Sequence, residues 1–283
     1  MKKIVLCPNP LRDEGLRETQ TVRRRLEEAG CRVTICPMFT DPEESSPLPG
    51  TVPDLGAAME GADLLICFGG DGTILHLARA AAKRFLPVLT VNMGNKGFMA
   101  ELEHEDLDVL VKTALQETYT IEERMMLDVT VERDGQTVYS DCALNDVVVT
   151  GMSKILDITV YGDGEKISAF SGDGIIVCTP TGSTAYSMSA GGPIVEPQAE
   201  NIIITPVCAH ALIAKCFVLA PVRTVTVETG NLRSKLADLA VDGGSFRLME
   251  GDVIHTQKSN YVTRLVKATG KSFYEIVNDK LGD

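Results

Sequence analysis

The chain has 283 residues, of which 44% are hydrophobic and 23% charged, a balance typical of globular proteins with one or two domains. Its formal net charge of −12 argues against sequence-independent binding of DNA, RNA or an anionic membrane, because each of these needs a basic surface. The eight cysteines include no CxxC pair and the four histidines show no HExxH spacing, so we expect free thiols in a reducing cytoplasm and no dedicated zinc site.

Roughly the first 120 residues alternate short apolar runs with amphipathic helical patterns, which is typical of βα units around a parallel sheet. The predicted strands are KKIVLCP, CRVTICP, ADLLICF and LPVLTVN. Helices are predicted over about residues 13–29 and 73–84 and over EDLDVLVKTALQE, whereas residues 40–53 form a loop rich in Pro and Ser. The N-terminal apolar run is too short for a signal peptide, and no run approaches the ~20 residues of a membrane span, so we expect a soluble protein.

The pattern changes near Met126 to a succession of short strands, with turns such as RDGQ and GDGE between them, which predicts an all-β domain built largely of hairpins. The last stretch, from Tyr261, returns to a strand followed by a helix, which we expect to pack onto the first domain. The predicted division is therefore an α/β nucleotide-binding domain over residues 1–122, completed by 262–283, and a β-rich domain over 123–261.

Gly-Asp-Gly occurs three times, in three different settings. YGDGEK lies between two alternating strands, where Asp-Gly supplies the positive φ angles of a tight hairpin. GGDGT, residues 69–73, follows an apolar strand and opens a helix, which is where open α/β sheets bind ligands; the alternative is a plain turn with Asp71 as the helix N-cap. SGDG, residues 171–174, precedes a buried strand and alone indicates little.

Three further segments place polar groups at the ends of apolar strands. TPTGSTAYSMSAGGP, residues 179–193, combines six Ser and Thr hydroxyls with a Tyr and three glycines. Such a density suits hydrogen bonding to a ribose, an amide or a phosphate, although a polar surface loop is the alternative. Asn145 and Asp146 enter a Val-rich strand and need partners there, and NMGNKGFMAE holds Lys96, a candidate cation beside a phosphate.

In their order and spacing, GGDGT, NMGxxGF, the Asn-Asp pair and GDGxxVxTPTGSTAY resemble the motifs of the NAD kinases, over about residues 60–195. The resemblance implies an α/β N-terminal domain with a parallel sheet, like that of phosphofructokinases and diacylglycerol kinases, and an all-β C-terminal domain that binds NAD. It implies transfer of the γ-phosphoryl group of ATP to the 2′-hydroxyl of the adenosine ribose of NAD, which yields NADP. A divalent metal ion, usually magnesium, and a homo-oligomer, either a dimer or a tetramer, are also implied.

By the same resemblance, Asp71 is the catalytic base that takes the proton of the ribose hydroxyl. The implied NAD contacts are Gly72, His76, Asn145, Asp146, Lys154, Asp173, Thr181, Thr184, Ala185, Tyr186 and Ser189. The sequence departs from the family pattern at Asp146, which is one methylene shorter than the usual Glu, and this places substrate affinity in question rather than the reaction class. The sequence names no protein ligand for the metal ion.

Two rival functions stay open at this point. A lipid kinase of the diacylglycerol or sphingosine type shares GGDGT, so Asp71 does not discriminate, but such an enzyme is not expected to carry TPTGSTAY. The second rival function is that of a non-catalytic module that senses NAD and has the same fold, since a fold does not imply turnover. The complete GGDGT motif argues against that second alternative.

Overall fold

The computed structural model divides the chain into two compact units. The first comprises Met1–Glu123 and Thr263–Asp283, and the second comprises Arg124–Val262. The structure describes residues 1–39, 50–94, 97–116, 119–152, 154–210, 214–230, 232 and 236–282. Lys96 and most of the predicted loop at 40–53 therefore lie outside the described residues.

The helices and strands follow one another along the chain as β1 (Lys3–Pro8), α1 (Arg17–Glu28), β2 (Arg32–Ile35), α2 (Leu55–Met59), β3 (Leu64–Gly69), α3 (Asp71–Ala82), β4 (Pro87–Asn92), β5 (Leu102–Glu103), α4 (Leu107–Gln116), β6 (Thr120–Arg133), β7 (Gln136–Ala143) and β8 (Asp146–Gly151). They continue as β9 (Leu156–Gly162), β10 (Glu165–Gly172), β11 (Gly174–Cys178), α5 (Tyr186–Ser189), β12 (Ile202–Val207), β13 (Phe217–Leu219), β14 (Val225–Thr229), β15 (Ala237–Val241), β16 (Gly244–Leu248), β17 (Val253–Lys267) and α6 (Phe273–Leu281).

A parallel sheet in the order β2–β1–β3–β4–β17 forms the centre of the first unit, to which β17 contributes its C-terminal end. Every residue of β3 is buried, as expected for a strand of a parallel sheet that is covered on both faces. The chain passes from β1 to β2 on one side and then crosses over β1 to reach β3 on the other side, so the direction of the connections reverses between β1 and β3. Open α/β sheets bind ligands beyond the carboxyl ends of their strands at such a reversal.

The core of the first unit confirms the predicted α/β pattern, because apolar side chains of β1, β3 and β4 pack against α1 and α4. The central members are Ile4, Leu6, Val22, Leu26, Ile66, Phe68, Leu89 and Leu110. Full burial of an aliphatic or aromatic side chain contributes about 1.5–3 kcal/mol to the free energy of folding. This packing makes the sheet a rigid base for the turns at its carboxyl edge.

Two helix starts differ from the sequence prediction. The first predicted helix begins at Arg17 rather than near Asp13, because Gly15 and Leu16 have positive φ and belong to a separate 3-10 turn. The Asp13 carboxylate instead accepts the N–H and the hydroxyl of Thr19, at 3.0 and 2.6 Å. The helix after GGDGT begins at Asp71, two residues before the predicted start.

Two antiparallel sheets make up the second unit, which confirms the predicted all-β domain. One has the order β13–β12–β11–β8–β15–β16, and the other contains β10, β9, β14 and β17 in order, with β6 paired to β17 and β7. Side chains of both sheets form one apolar cluster, which includes Leu127, Val129, Val147, Val149, Ile158, Val160, Ile175 and Val177. The predicted RDGQ and GDGE turns are hairpins, with positive φ at Asp134–Gly135 and Asp163–Gly164.

All eight cysteines are free thiols, and Cys7, Cys36, Cys67, Cys142 and Cys178 are buried. Burial raises the pKa of Cys36 to about 11, so this thiol is protonated at neutral pH. Within the part of the chain that the structure describes, no helix has the length and apolar character needed to cross a lipid bilayer.

Candidate functional site

The GGDGT turn joins the fully buried strand β3 to helix α3. Gly69 ends the strand at a point where a Cβ atom would lie 2.3 Å from the Thr73 Oγ1 atom, so only glycine fits there. Gly70 is the extended N-cap residue, and no side chain caps the helix. Asp71 is thus the first helical residue, and the alternative that it serves as the N-cap is wrong.

The Asp71 carboxylate is held by the loop that follows β4. Its Oδ2 atom accepts the Phe98 N–H at 2.8 Å, and its Oδ1 atom accepts the Met99 N–H at 3.2 Å. A Cβ atom on Gly97 would lie 2.0 Å from Asp71 Oδ1, so Gly97 leaves room for the carboxylate. Among the residues that the structure describes, each oxygen accepts one backbone N–H, so each retains a lone pair for a substrate hydroxyl. The NMGNKGF motif therefore orients the aspartate of the GGDGT motif.

Gly72 and His76 lie one turn apart on α3 and both are exposed. Residues four apart share a face of a helix, so the two predicted contacts point to the same side. A Cβ atom on Gly72 would meet nothing within 4 Å, which leaves its backbone open to a ligand. The His76 ring packs against Phe39, with the ring centroids 5.0 Å apart.

The Asn145–Asp146 pair forms a backbone corner at the start of β8 in the second unit. The Asp242 carboxylate accepts three consecutive N–H groups there, from Leu144 at 2.6 Å, Asn145 at 2.9 Å and Asp146 at 3.1 Å. In return the Asp242 N–H donates to the Asp146 carbonyl at 3.1 Å. The Thr179 hydroxyl donates to the Leu144 carbonyl at 2.6 Å, and the Thr179 N–H donates to the Asn145 carbonyl at 2.9 Å. The corner is therefore fixed from two sides.

Both side chains of the pair are suited to a ligand. Asn145 is 7% exposed, and among the described residues its Oδ1 atom has no hydrogen-bond partner. A buried acceptor without a partner costs about 1–3 kcal/mol, which a ligand donor would recover. Burial, and next the charge of Asp242, raise the pKa of Asp146 to about 7. A hydrogen-bond donor on a ligand would favour the ionised form of Asp146.

TPTGSTAY forms a 3-10 turn, Thr181–Thr184, followed by the short helix α5. Most of its hydroxyls bond within the unit: Thr179 to the Leu144 carbonyl, Ser183 to the Pro180 carbonyl, Thr184 to the Thr181 carbonyl and Ser187 to the Thr205 hydroxyl. The expectation that these hydroxyls bind a ligand is therefore corrected in part, since they first fix the fold of the segment. Gly182 packs against Asn145, because a Cβ atom on Gly182 would lie 2.1 Å from the Asn145 carbonyl oxygen.

The predicted NAD contacts of this segment differ in accessibility. Thr181 is 5% exposed and its hydroxyl accepts from Arg124 Nη1 at 3.3 Å, which leaves little of it for a ligand. Thr184 and Ala185 are partly buried, whereas Tyr186 and Ser189 are exposed. The accessible part of the segment is therefore its second half, and Gly182 places the first half directly against the Asn145–Asp146 corner.

Asp173 and Lys154 lie at the other end of the same strands. In the antiparallel pairing of β11 with β8, Cys178 lies opposite Asp146 and Gly174 opposite Thr150. Four residues of strand separate the two ends, about 13 Å at ~3.3 Å per residue. The Asp173 carbonyl accepts the N–H of Gly151, and the Asp173 carboxylate raises the pKa of the Cys208 thiol through a hydrogen bond. The structure therefore divides the predicted contacts of this unit into two groups.

Two residues that the sequence analysis missed stand out in this geometry. Asp242 lies in the hairpin turn between β15 and β16 with a positive φ, as does Gly243 after it. Asp-Gly between two strands signals only a tight turn, and no local pattern shows a contact with residues 144–146. The other is Arg12, whose guanidinium lies against Gly94. The sequence signal for this contact was limited to the presence of a basic residue shortly after a predicted strand.

Comparisons with known proteins agree with this architecture. The model of the ATP-NAD kinase N-terminal domain matches residues 4–119, and that of the ATP-NAD kinase C-terminal domain matches residues 144–268. An NAD kinase of Acetivibrio thermocellus is 36% identical over 289 residues, covering 100% of this chain and 98% of the relative. An NAD kinase of Lachnoclostridium phytofermentans is 38% identical over 291 residues, and the alignment covers 100% of this chain and 100% of that relative.

Solved structures give the same result. Yeast NADH kinase complexed with NADH superposes with a TM-score of 0.84 at 25% identity, covering 100% of this chain and 88% of that one. An Archaeoglobus fulgidus NAD kinase in complex with ATP superposes with a TM-score of 0.74 at 24% identity, covering 99% and 98%, and supports the fold. Both family models and the full-length relatives are NAD kinases, and none of them supports the lipid kinase alternative. The chain belongs to the NAD kinase family of phosphotransferases.

Proposed function

We propose that the protein transfers the γ-phosphoryl group of ATP to the 2′-hydroxyl of the adenosine ribose of NAD, and that Asp71 is the general base. The observation that carries the proposal is the Asp71 carboxylate, which two backbone N–H groups hold at the carboxyl edge of a parallel sheet. A ribose hydroxyl is a weak nucleophile, and a positioned carboxylate within hydrogen-bond reach can take its proton as it attacks.

In this reaction the ribose 2′-oxygen forms a bond to the γ-phosphorus while its proton passes to Asp71. The bond between the γ-phosphorus and the β–γ bridging oxygen breaks, and ADP leaves with that electron pair. Positioning and charge neutralisation supply most of the rate in phosphoryl transfer. The Phe98 and Met99 N–H groups contribute to positioning, because they fix the orientation of the Asp71 carboxylate.

We assign NAD recognition mainly to the second unit. The unpartnered Oδ1 atom of Asn145 and the buried carboxylate of Asp146 suit donors such as ribose hydroxyls and amides. The partly buried Thr184 and Ala185 and the exposed Tyr186 and Ser189 would line the adenosine pocket beside this pair, with the buried Thr181 supporting them from behind. Lys154 and Asp173 would contact a part of the dinucleotide remote from that corner, and Gly72 and His76 would contribute from α3.

The domain roles follow from the same assignment. Residues 1–122 with 262–283 would form the nucleotide-binding domain and residues 123–261 the NAD-binding domain. Support comes from the two compact units, and from Asp71 and the Asn145–Asp146 corner, which belong to different units.

A magnesium ion is part of the proposal. The described residues contain no group of three or more His, Cys, Asp or Glu side chains placed to hold a metal ion. Magnesium is commonly bound by one or two carboxylates, substrate phosphates and water, so an ion that arrives with ATP would need only a single protein carboxylate, which Asp71 would supply. When bound, the ion would neutralise charge on the phosphate oxygens.

Location and assembly are proposals of the same kind. We place the protein in the cytoplasm, which the eight free thiols support, because disulfides form in oxidising compartments. We also propose a homo-oligomer, either a dimer or a tetramer. Exposed apolar side chains on and near β13, such as Val218 at 50% and Val222 at 82% exposure, support this.

The test is an assay of the purified protein with NAD, ATP and magnesium, in which an NADP-specific dehydrogenase detects the product. Asp71→Asn should lower kcat by about 10²–10⁴, the usual contribution of a general base, while calorimetry still detects NAD binding. The amide places an NH2 group against the N–H of Phe98 or Met99, so the melting temperature is measured alongside. Asp108→Asn changes an exposed carboxylate on α4 in the same way and should leave kcat unchanged.

Three results would count against parts of this proposal. An Asp71→Asn variant that turns over near the parent rate would show that Asp71 is not the base. A parent protein that binds NAD but forms no NADP would indicate the NAD-sensing alternative. Phosphorylation of diacylglycerol in place of NAD would indicate a lipid kinase.

A further inference from the structure

The turn after β1 lies beside the GGDGT turn at the point where the strand order reverses. The sheet order β2–β1–β3–β4 places the carboxyl ends of β1 and β3 side by side, and those ends lead into Asn9–Arg12 and Gly70–Asp71 respectively. Ligands of open α/β sheets bind in the crevice at this reversal. A side chain of the turn after β1 that points into this crevice is therefore placed to contact a ligand.

The turn after β1 carries Arg12, whose guanidinium lies near this crevice. A Cβ atom on Gly94 would lie 1.9 Å from Arg12 Nη1, so the guanidinium rests directly on the backbone of Gly94. A Cβ atom on Gly70 would lie 4.0 Å from Arg12 Cζ, so the same group also borders the GGDGT turn. Within the described ranges, Arg12 makes no ion pair and its side chain makes no hydrogen bond. The guanidinium thus lies between two glycine-rich turns with its donors unused.

The position of Arg12 is fixed through Asn9, which is 8% exposed. The Asn9 carbonyl accepts the Arg12 N–H at 2.9 Å, and its Oδ1 atom accepts the Leu11 N–H at 3.0 Å. The Asn9 N–H donates to the Phe68 carbonyl at 2.8 Å, and Asn9 Nδ2 donates to Thr73 Oγ1 at 3.3 Å. Asn9 therefore bonds the turn that carries Arg12 to both sides of the GGDGT turn.

A cavity adjoins the Arg12 guanidinium, and its lining carries charges of both signs. It measures about 310 Å³ and is lined by Arg12, Asp13, Glu14, Arg17, Glu18, Met93, Gly94 and His104. Its carboxylates offset its cations, so the cavity as a whole does not favour an anion. A phosphate would instead be held where Arg12 meets the glycine backbones, since guanidinium binds phosphate oxygens through paired N–H donors.

From these contacts we infer that Arg12 binds the phosphate chain of the phosphoryl donor. The inference rests on the proposed function, in which that donor is ATP. Gly94, the glycine of the NMG motif, then has a physical role, because it provides the flat backbone surface on which the guanidinium lies. The contact concerns the phosphates and not the base or ribose of the donor, so inorganic tripolyphosphate should compete for it.

The first experiment compares Arg12→Gln, Arg12→Lys and Arg24→Gln, with NAD held at saturation and ATP varied, and then the reverse. Loss of a charge-assisted phosphate contact should raise the KM for ATP by about 10- to 100-fold and leave the KM for NAD within twofold. Arg12→Lys, which keeps the charge but not the paired donors, should lie between parent and Arg12→Gln. Arg24, exposed on α1 outside the cavity, is the charge-matched control and should behave as the parent.

A second variant moves the guanidinium without removing it. Gly94→Ala places a methyl group against Arg12 Nη1, the mobile end of a long side chain, so the fold is retained while the guanidinium shifts. The KM for ATP should rise in Gly94→Ala alone but not further in the Arg12→Gln background. The inhibition constant of tripolyphosphate against ATP should rise in both single variants.

The outcomes separate this inference from the proposed function. If the parent forms NADP but Arg12→Gln keeps its KM for ATP and its inhibition by tripolyphosphate within twofold, Arg12 is not a phosphate ligand and the inference is overturned. Equal effects on the KM for ATP and the KM for NAD, together with a lowered melting temperature, would also overturn it, as they would assign Arg12 a general structural role. If the parent forms no NADP, the proposed function fails, and calorimetry of tripolyphosphate binding to the parent and Arg12→Gln still decides the role of Arg12.

Discussion

The carboxylate of Asp242 accepts the backbone N–H of Asn145 at 2.9 Å, although 97 residues separate the two along the chain. The same carboxylate also accepts the N–H groups of Leu144 and Asp146. Three N–H groups donating to one charged acceptor fix the backbone of the pair to which we assign NAD, and among the described residues the Asn145 Oδ1 atom has no hydrogen-bond partner. Asp242 is therefore a positioning residue whose effect reaches the ligand through Asn145 and Asp146.

Asp242→Asn should raise the KM for NAD about tenfold and change kcat and the KM for ATP much less, because a mispaired buried donor costs about 1–3 kcal/mol. In either orientation the new NH2 group faces an N–H of the corner. The control is Asp134→Asn, which changes an Asp of the β6–β7 hairpin that also has positive φ, a conformation that Asn tolerates equally. Steady-state kinetics and thermal melts check both variants. An unchanged KM for NAD in Asp242→Asn would contradict the positioning role.

Asp146 should make stability depend on pH. Its pKa is about 7 in the folded protein, where burial and Asp242 raise it, and near 3.9 in an unfolded chain. Between these two values the folded state binds more protons, so the free energy of unfolding contributed by this group falls as the pH rises from about 4 to about 7. The Asp146→Asn variant lacks the titration and should lose less melting temperature than the parent between about pH 5 and pH 8. Equal pH profiles for parent and variant would show that Asp146 does not titrate in this range.

The sequence predicted those parts of the site that local patterns determine. The strand–turn–helix at GGDGT and the hairpins at Asp134–Gly135 and Asp163–Gly164 follow from hydrophobic period and from the preference of Asp-Gly for positive φ. The same dipeptide at Asp242–Gly243 also makes a turn, but its carboxylate contacts residues nearly a hundred positions earlier. A contact of that range depends on the pairing of β15 with β8, which no local pattern encodes.

The sequence revealed the NMGNKGF motif but did not predict that the loop containing it would bind the Asp71 carboxylate. Only Lys96 was singled out in this segment, as a candidate cation beside a phosphate. The structure instead gives Gly97 and Gly94 separate steric roles, against Asp71 and Arg12. The distance between a virtual Cβ atom and a neighbouring side chain is a property of the folded chain, so the sequence could not supply it.

Gly97→Ala should reduce turnover without unfolding the protein. The new methyl group would lie 2.0 Å from Asp71 Oδ1, and the carboxylate must move away from the Phe98 and Met99 N–H groups. Misplacement of a base by about 1 Å can cost on the order of 10²-fold in rate, so kcat should fall by about that factor with smaller changes in both KM values. Gly244→Ala, where the nearest atom lies 3.4 Å from the new Cβ, is the control. A parent-like kcat in Gly97→Ala would show that the loop does not restrict Asp71.

Glu101 should be a determinant of the stability of the first unit. It is 7% exposed, and its carboxylate pairs with Lys267 and accepts the N–H of Ala268 at 2.7 Å and the N–H and hydroxyl of Thr269 at 2.6 and 2.7 Å. These bonds fasten the C-terminal segment to the loop that also orients Asp71. Glu101→Gln leaves the partly buried Lys267 ammonium without its counter-charge and mispairs the buried acceptor, so the free energy of unfolding should fall by about 1–3 kcal/mol. Glu105→Gln, an exposed carboxylate close by in the chain, should change it by less than about 0.5 kcal/mol. Urea unfolding of both variants and the parent measures the difference, and a Glu101→Gln midpoint equal to that of Glu105→Gln would contradict the role of the cluster.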